Sequence, residues 1–400
     1  MQSHDFFLNL LLILLTARIF AELAVYLKMT SVIGELFAGI VLGPSLMGWV
    51  EPAEAIKLMA QIGIILLLFE VGLDTDVRRL AHSGGKSFIV AISGFFVPFI
   101  LGYLLASQVF GLTTLVSLFI GGTITATSIG ITVRVLCDLK RQHRHEGQVV
   151  LGAAVLDDVM GVLLLAMLYE FSVGGGISFI NISKVAIFIG AFFLLAPLAA
   201  KLISQVISHF HDRSETPGLI PTMVVVLVLF FAWLSHELGA PELLGGFAAG
   251  LALSRRFFFP FGTALHSDKH FSQDVKKQMK PIIHLFTPIF FVMVGLSLNF
   301  REIDWSSPFI WYFSTSFLLI SIVGKMIGPL FLKQSKYSSI AIGLAMIPRG
   351  EVGLIFAELG RESGILNNEI YAAMIIVIAL TTILPPFVMK WFYGRYDHLI

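Results

Sequence analysis

Charge is scarce in this chain, and cysteine is all but missing. Asp, Glu, Lys and Arg make up 13% of its 400 residues, about half the roughly 25% of an ordinary soluble domain. Hydrophobic residues fill 56%, and the mean hydropathy is +0.88. That combination excludes a soluble globular domain and points to an integral membrane protein. A lone cysteine, Cys137, excludes an intrachain disulfide and any cysteine-based metal site. The net charge of +1 shows no excess of either sign, and the basic residues sit in short clusters between apolar runs, so no nucleic-acid partner is expected. The N-terminal stretch MQSHDFFLNLLLILLTARIF lacks the basic segment and small-residue cleavage site of a signal peptide, and is expected to form a retained first span.

What the chain has in abundance is apolar runs of membrane length. About 20 residues rising 1.5 Å each cross the hydrocarbon core. Runs of this kind predict thirteen helical spans, near 6–26, 31–47, 57–74, 87–107, 114–136, 149–170, 183–207, 219–237, 242–255, 281–298, 308–332, 338–358 and 369–391. The expected fold is an all-α polytopic membrane protein, a single transporter domain over residues 1–400 surrounded by membrane lipid. Nineteen Lys and Arg fall in the loops after odd-numbered spans and in the C-terminal tail, against four on the other side. That asymmetry predicts an outside N-terminus and a cytoplasmic C-terminus in the cell inner (plasma) membrane.

The two halves echo each other. FEVGLDTDVRR around Gly72 resembles VMVGLSLNFRE around Gly295, and SIGITV around Gly130 resembles EVGLIF around Gly353, both pairs 223 residues apart. LFAGIVL at 36–42 resembles FAAGLAL at 247–253 at a different spacing. The echoes pair span 2 with 9, 3 with 10 and 5 with 12, a displacement of seven. A copy displaced by an odd number of crossings enters from the opposite side, so two inverted six-helix repeats joined by a linker helix are expected, the architecture of alternating-access transporters.

Against this background two adjacent carboxylates, Asp157 and Asp158, stand in the apolar run LGAAVLDDVMGVLLLAMLY. One ionised Asp at a helix centre costs roughly 2.5–3.5 kcal/mol on insertion scales, so the pair calls for a function. Neighbours on a helix diverge by about 100°: one carboxylate faces a cavity and the other a protein partner. Lys325, an isolated cation in SFLLISIVGKMIGPLFL, is the leading partner, although a lysine near a helix end also snorkels toward the interface. GGTITATSIGITV in span 5 and GLAMIPRGEVGLIF in span 12 carry Gly, Pro and hydroxyl residues about halfway across. Unwinding there is tolerated where the freed backbone lines a cavity or meets protein. The two breaks are expected to cross, with Thr125, Thr127 and Ser128 offering oxygens to a small hard cation and Arg349 and Glu351 balancing the half-helix dipoles. Packing between helices is the plainer reading of the hydroxyls. Glu70, one turn from Asp74, either lines a cytoplasmic funnel or is an interfacial carboxylate. A desolvated carboxylate binds either a proton or a metal cation near neutral pH, and competition for one site is antiport.

GELFAGIVLGPSLMG, LLLFEVGLDTD, TATSIGITVRVL, LGAAVLDDVMG and IPRGEVGLIFAELG together resemble the monovalent cation:proton antiporters, in the branch that holds bacterial sodium/proton exchangers and potassium efflux systems. The resemblance spans the whole chain. It implies a homodimer, a dimerisation panel at 1–85 and 216–300, an ion-translocating core at 86–171 and 301–400, and a linker helix at 172–215. It implies that Asp158 carries the transported cation (sodium) and the proton, and that Asp157 forms a salt bridge with Lys325. Potassium efflux members carry Gln at the first position and append a nucleotide-binding domain. Asp at 157, with the end of this chain soon after span 13, favours the sodium/proton type.

The leading expectation is thus a sodium (lithium)/proton antiporter, electrogenic with two protons per sodium, serving pH homeostasis, not an enzyme and with no cofactor. A potassium/proton antiporter is the alternative within the class. A passive cation channel also fits the composition but leaves the titratable pair unused. An intramembrane aspartyl protease needs two carboxylates sharing one water, which neighbours on one helix do not provide.

Overall fold

Apolar sequence at helical lengths folds as helix among the described residues. The computed structural model describes residues 3–51, 53–74, 77–172, 183, 187, 218–238, 241–254 and 269–400, with the side chains at some positions left outside, and among the described residues there is no strand. The helices are α1 (Ser3–Tyr26), α2 (Ser31–Leu42), α3 (Glu54–Asp74), α4 (Val77–Leu104), α5 (Thr114–Thr123), α6 (Ile129–Asp138), α7 (His145–Ser172), α8 (Leu219–Glu237), α9 (Glu242–Leu253), α10 (Lys269–Leu296), α11 (Pro308–Leu330), α12 (Lys336–Ala345), α13 (Gly350–Glu362) and α14 (Asn368–Tyr396). Eight are long and apolar enough to cross a membrane. The span expected at 183–207 lies almost wholly outside the described residues. The polar stretch before residue 281 belongs to one continuous helix, α10, which runs through Pro281 and Pro288.

Two predicted spans are interrupted, each for a local reason. Between α5 and α6 the chain reads Thr123-Ile-Thr-Ala-Thr-Ser128. The Thr123 and Thr125 hydroxyls donate back to the carbonyls of Phe119 (2.8 Å) and Gly121 (2.6 Å), bonds that compete with the helical ladder. Ser128 then caps α6, its hydroxyl accepting from the Ile131 N–H at 3.5 Å. Between α12 and α13 stands Pro348, which has no N–H and disfavours helix at the residue before it. The second half resumes at Gly350, whose φ of +48° suits glycine. The broken segments meet: Ser128 N–H donates to the Pro348 carbonyl at 2.7 Å.

α11, which supplies the third wall of that region, starts at Pro308 in the first helical turn. In the loop before it, Asp304 accepts from the Ser306 N–H and hydroxyl at 3.0 and 2.6 Å. Those two bonds hold the exposed Asp304 carboxyl below the usual carboxylate range.

The chain divides into two compact units, Met1–Ile56 with Ser83–Ser178 and Phe291–Ile400, and Lys57–His82 with Phe179–Phe290. The first is centred on buried aromatics, Phe313 lying 4.4 Å from Phe317 and 4.8 Å from Phe110 between ring centroids. The second is built on Phe69, Phe231, Val275 and Met279.

Each unit contains the same helix crossing. In the first, a Cβ on Gly39 of α2 would lie 2.8 Å from Gly295 Cα, against the Val292 carbonyl. In the second, a Cβ on Gly250 of α9 would lie 2.8 Å from Leu73 N, against the Phe69 carbonyl, where Gly72 of α3 crosses. Gly34 likewise packs on Phe20 and Ala21 as Gly245 packs on Phe231 and Ala232. Matching positions are 211 residues apart for Phe20, Gly34 and Gly39, and 223 apart for Gly72, the spacings of the sequence echoes. A residue with any side chain keeps the backbones apart. Gly39→Leu and Gly250→Leu are each expected to cost at least about 1–3 kcal/mol, lowering the thermal unfolding midpoint in detergent. Gly84→Ala, with nothing within 4 Å, is expected not to lower it.

Candidate functional site

α7 brings Asp157 into the centre of the first unit, and four elements converge on it. Asp157 and Lys325 are both fully buried. Lys325 Nζ, from α11, lies 3.1 Å from Asp157 Oδ1 and 3.2 Å from Oδ2. The stem of the lysine runs past α4 at Gly94, where a Cβ would stand 3.3 Å from Lys325 Cδ. Asp157 Oδ2 also accepts from the backbone N–H of Thr127 at 2.7 Å. That N–H lies just ahead of the N-terminus of α6, so the carboxylate faces the positive end of a half-helix as well as an ammonium.

Arg349 does the complementary work at the other end of the same break. It is fully buried, and its Nη1 donates to the carbonyls of Thr125 (2.7 Å) and Ala126 (3.1 Å), just past the C-terminus of α5. A cation at that negative end offsets the half-helix dipole. Its Nη2 donates to the Ser321 carbonyl on α11 at 3.2 Å. Ser321 lies one helical turn from Lys325, so a single face of α11 binds Arg349 at one level and Asp157 at the next. The result is a closed polar ring through α7, the two breaks and α11.

The hydroxyls are engaged too. Thr127 Oγ1 donates to the Met346 carbonyl at 3.2 Å and Thr132 Oγ1 to the Ala345 carbonyl at 2.8 Å. Both satisfy carbonyls freed at the end of α12. The Gly350 N–H, freed at the start of α13, donates to Thr382 Oγ1 on α14 at 3.0 Å. The Thr127 and Thr132 hydroxyls thus spend their protons on protein and keep their lone pairs, so these two are oriented as acceptors. Asp158, next along α7, is buried at 5% exposure. Fixed dipoles, a buried ion pair and a neighbouring buried carboxylate together suit a small cation or a proton.

A family model for the transmembrane sodium/hydrogen exchanger matches residues 11–392. The chain belongs to the sodium/hydrogen exchanger family. It is 32% identical over 397 residues to the Na(+)/H(+)-K(+) antiporter GerN of Bacillus cereus, covering 99% of this chain and 98% of that one. It is 30% identical over 384 residues to a Na(+)/H(+) antiporter of Enterococcus hirae, covering 96% and 97%. Its fold is similar to that of the sodium proton antiporter MjNhaP1 of Methanocaldococcus jannaschii, with a TM-score of 0.76 at 17% identity over 99% of this chain and 97% of that one. These relatives are named as transporters, and this exchanger is a multi-pass membrane protein.

In the exchanger, Asp157, Lys325, Thr125, Thr127, Ser128 and Arg349 meet in one network, with Asp158 beside it on α7. Thr125 takes part through its carbonyl, its hydroxyl being turned to Gly121. Glu70 sits half-buried on α3 in the other unit. The backbone of Glu351 lies in the first turn of α13, and its side chain lies outside the description. Sequence reasoning missed Ser321, Thr132 and Thr382. Helical spacing pointed to the first two, four residues from Lys325 and from Ser128, whereas nothing local marked Thr382.

Proposed function

We propose that this exchanger is a secondary active sodium (lithium)/proton antiporter working by alternating access, protons and cation competing for the carboxylate of Asp158. The observation that carries this reading is the fully buried Asp157–Lys325 pair, tied to the unwound backbone at Thr127. An ion pair of this kind is costly to bury and costly to break, so a rearrangement that frees Asp157 to bind or release a proton ties charge movement to a conformational change. The cycle is electrogenic, with more protons than sodium ions moved per turn. Oxygens of Thr125, Thr127 and Ser128 complete the cation shell, Arg349 and Glu351 balance the half-helix ends, and Glu70 lines the cytoplasmic approach.

The architecture that goes with this mechanism is thirteen transmembrane helices in two inverted repeats. A panel of 1–85 and 216–300 forms a homodimer, a core of 86–171 and 301–400 moves, and 172–215 links them. The N-terminus is outside and the C-terminus cytoplasmic, in the plasma membrane. The paired glycine crossings at matched spacings support the repeat.

A potassium/proton antiporter is the second reading, favoured by the relative named a Na(+)/H(+)-K(+) antiporter. Sodium, lithium and potassium jumps applied to liposomes loaded with a pH-sensitive dye separate the two. Sodium and lithium are expected to drive proton movement and potassium far less. Potassium alone driving it overturns the sodium assignment, and current without proton movement points to a passive channel.

A further inference from the structure

A second polar cluster lies in the first unit, half-buried except for the fully buried Glu35, where α2 meets the far end of α6. Asp138, the last residue of α6, receives the start of α2: Ser31 N–H and Ser31 Oγ donate to its Oδ2 at 3.1 and 3.0 Å. Asp138 therefore caps the N-terminus of α2, where a carboxylate is favoured. Arg134, one turn earlier on α6, places Nε 3.3 Å from Asp138 Oδ1 and donates from Nη2 to Ser31 Oγ at 2.9 Å. Glu35, one turn along α2 from Ser31, is 3% exposed. Its Oε1 stands 3.8 Å from Arg134 Nη2, beyond hydrogen-bond length, and its Oε2 has no hydrogen-bond partner. The other charges that face the cluster are Lys390 on α14, on the Asp138 side, and Arg18 on α1, which is exposed and paired with Glu22 at 2.6 Å.

Asp138 thus has a helix end, a hydroxyl and a guanidinium, while among the described residues Glu35 has the distant side of that guanidinium, 3.8 Å away, as its nearest ion-pair partner. A buried carboxyl short of donors calls for a proton or a better partner. We propose that Glu35 is a second proton-binding site of this protein, separate from the Asp157 network, and that its proton sets how firmly α2 holds α6. With the proton bound, Glu35 is neutral and Arg134 stays with Asp138 and Ser31. With the proton released, Glu35 becomes a second carboxylate pulling on Arg134, and α2 and α6 are drawn together. α6 begins at Ser128, beside the Thr127 N–H that holds Asp157, so a grip on its far end restrains the break. Proton binding at Glu35 is independent of the antiport reading, whereas its effect on turnover rests on it.

Two measurements on the full chain in liposomes test this and fail separately. Infrared difference spectra between acid and alkaline pH are expected to contain a carboxylic C=O band that vanishes in Glu35→Gln and shifts in Glu35→Asp. Spectra of the wild type and both variants that coincide overturn the proton site, whatever the transport result. For turnover, Glu35→Gln is expected to retain exchange about one pH unit further into the alkaline range than the wild type, with Glu35→Asp restoring the wild-type limb. A spectral difference without any change in the alkaline limb overturns the control of α6 and leaves the antiport reading intact. If Glu35→Gln does not assemble, the Glu35→Asp band decides: an unshifted band overturns the proposal.

Discussion

Asp158→Asn is expected to reduce sodium-driven proton flux to the level of protein-free liposomes while leaving the protein folded. Asparagine is nearly the same size as aspartate and supplies an amide oxygen, but it carries neither a titratable proton nor a charge to attract sodium. A site that works by exchanging a proton for a cation loses both ligands at once. Stability moves the other way from function. An Asp in the middle of a membrane helix costs roughly 2.5–3.5 kcal/mol to insert, so its neutral isostere is expected to unfold at the same temperature or higher. Loss of flux with an unchanged or raised melting temperature locates the effect in the site. Full exchange by the variant would remove Asp158 from the carrier role.

Lys325→Ala is expected to have the largest effect on stability. Removing one member of a buried ion pair leaves the other charged and alone, typically at about 3–5 kcal/mol. Here Asp157 would keep only the Thr127 N–H of its donors. Replacing both partners by neutral residues of similar volume, Asp157→Asn with Lys325→Met, is expected to restore most of that loss, because such pairs trade nearly evenly against packed neutral side chains. The double variant separates stability from coupling. It retains Asp158 and so is expected to exchange, but without the charge displacement that the Asp157–Lys325 rearrangement provides. Calorimetry or a thermal scan on the four proteins of this cycle gives the interaction energy directly, and a membrane-potential dye reads the charge movement. A Lys325→Ala variant as stable as the wild type would contradict a structural role for the pair.

Much of this was visible in the chain before folding, for reasons that can be named. Apolar run length marked the eight described helices long enough to cross a membrane, since a helix in hydrocarbon satisfies its own backbone groups and needs no partner to be recognised. The breaks were legible because Pro348 and the Thr-rich stretch before Ser128 act locally on their own backbone. The anomaly of Asp157 and Asp158 was legible because charge in hydrocarbon is expensive wherever its partner lies.

What was not legible depends on contacts between distant segments. Arg349 was expected to balance a dipole, but that it binds the Thr125 and Ala126 carbonyls of the other break, and Ser321 besides, is set by how the breaks cross. Thr127 was expected to offer its hydroxyl oxygen, and that its backbone N–H also meets Asp157 is set by how the break packs on α7. The glycines at 39, 72, 250 and 295 stand in the sequence echoes, whereas their pairing as crossings is set by the packing. Glu35 and Arg134 gave no warning at all, since an α2 glutamate reads as one polar residue among apolar ones until α6 is laid beside it.

The most direct test of competition at one carboxylate is the apparent sodium affinity of proton exchange measured across a pH series in liposomes. Where the site is mostly protonated, one competing proton predicts that the sodium concentration for half-maximal rate rises about tenfold for each unit of acidification, with the maximal rate unchanged. A half-maximal sodium concentration that stays constant while the maximal rate alone changes with pH would contradict it.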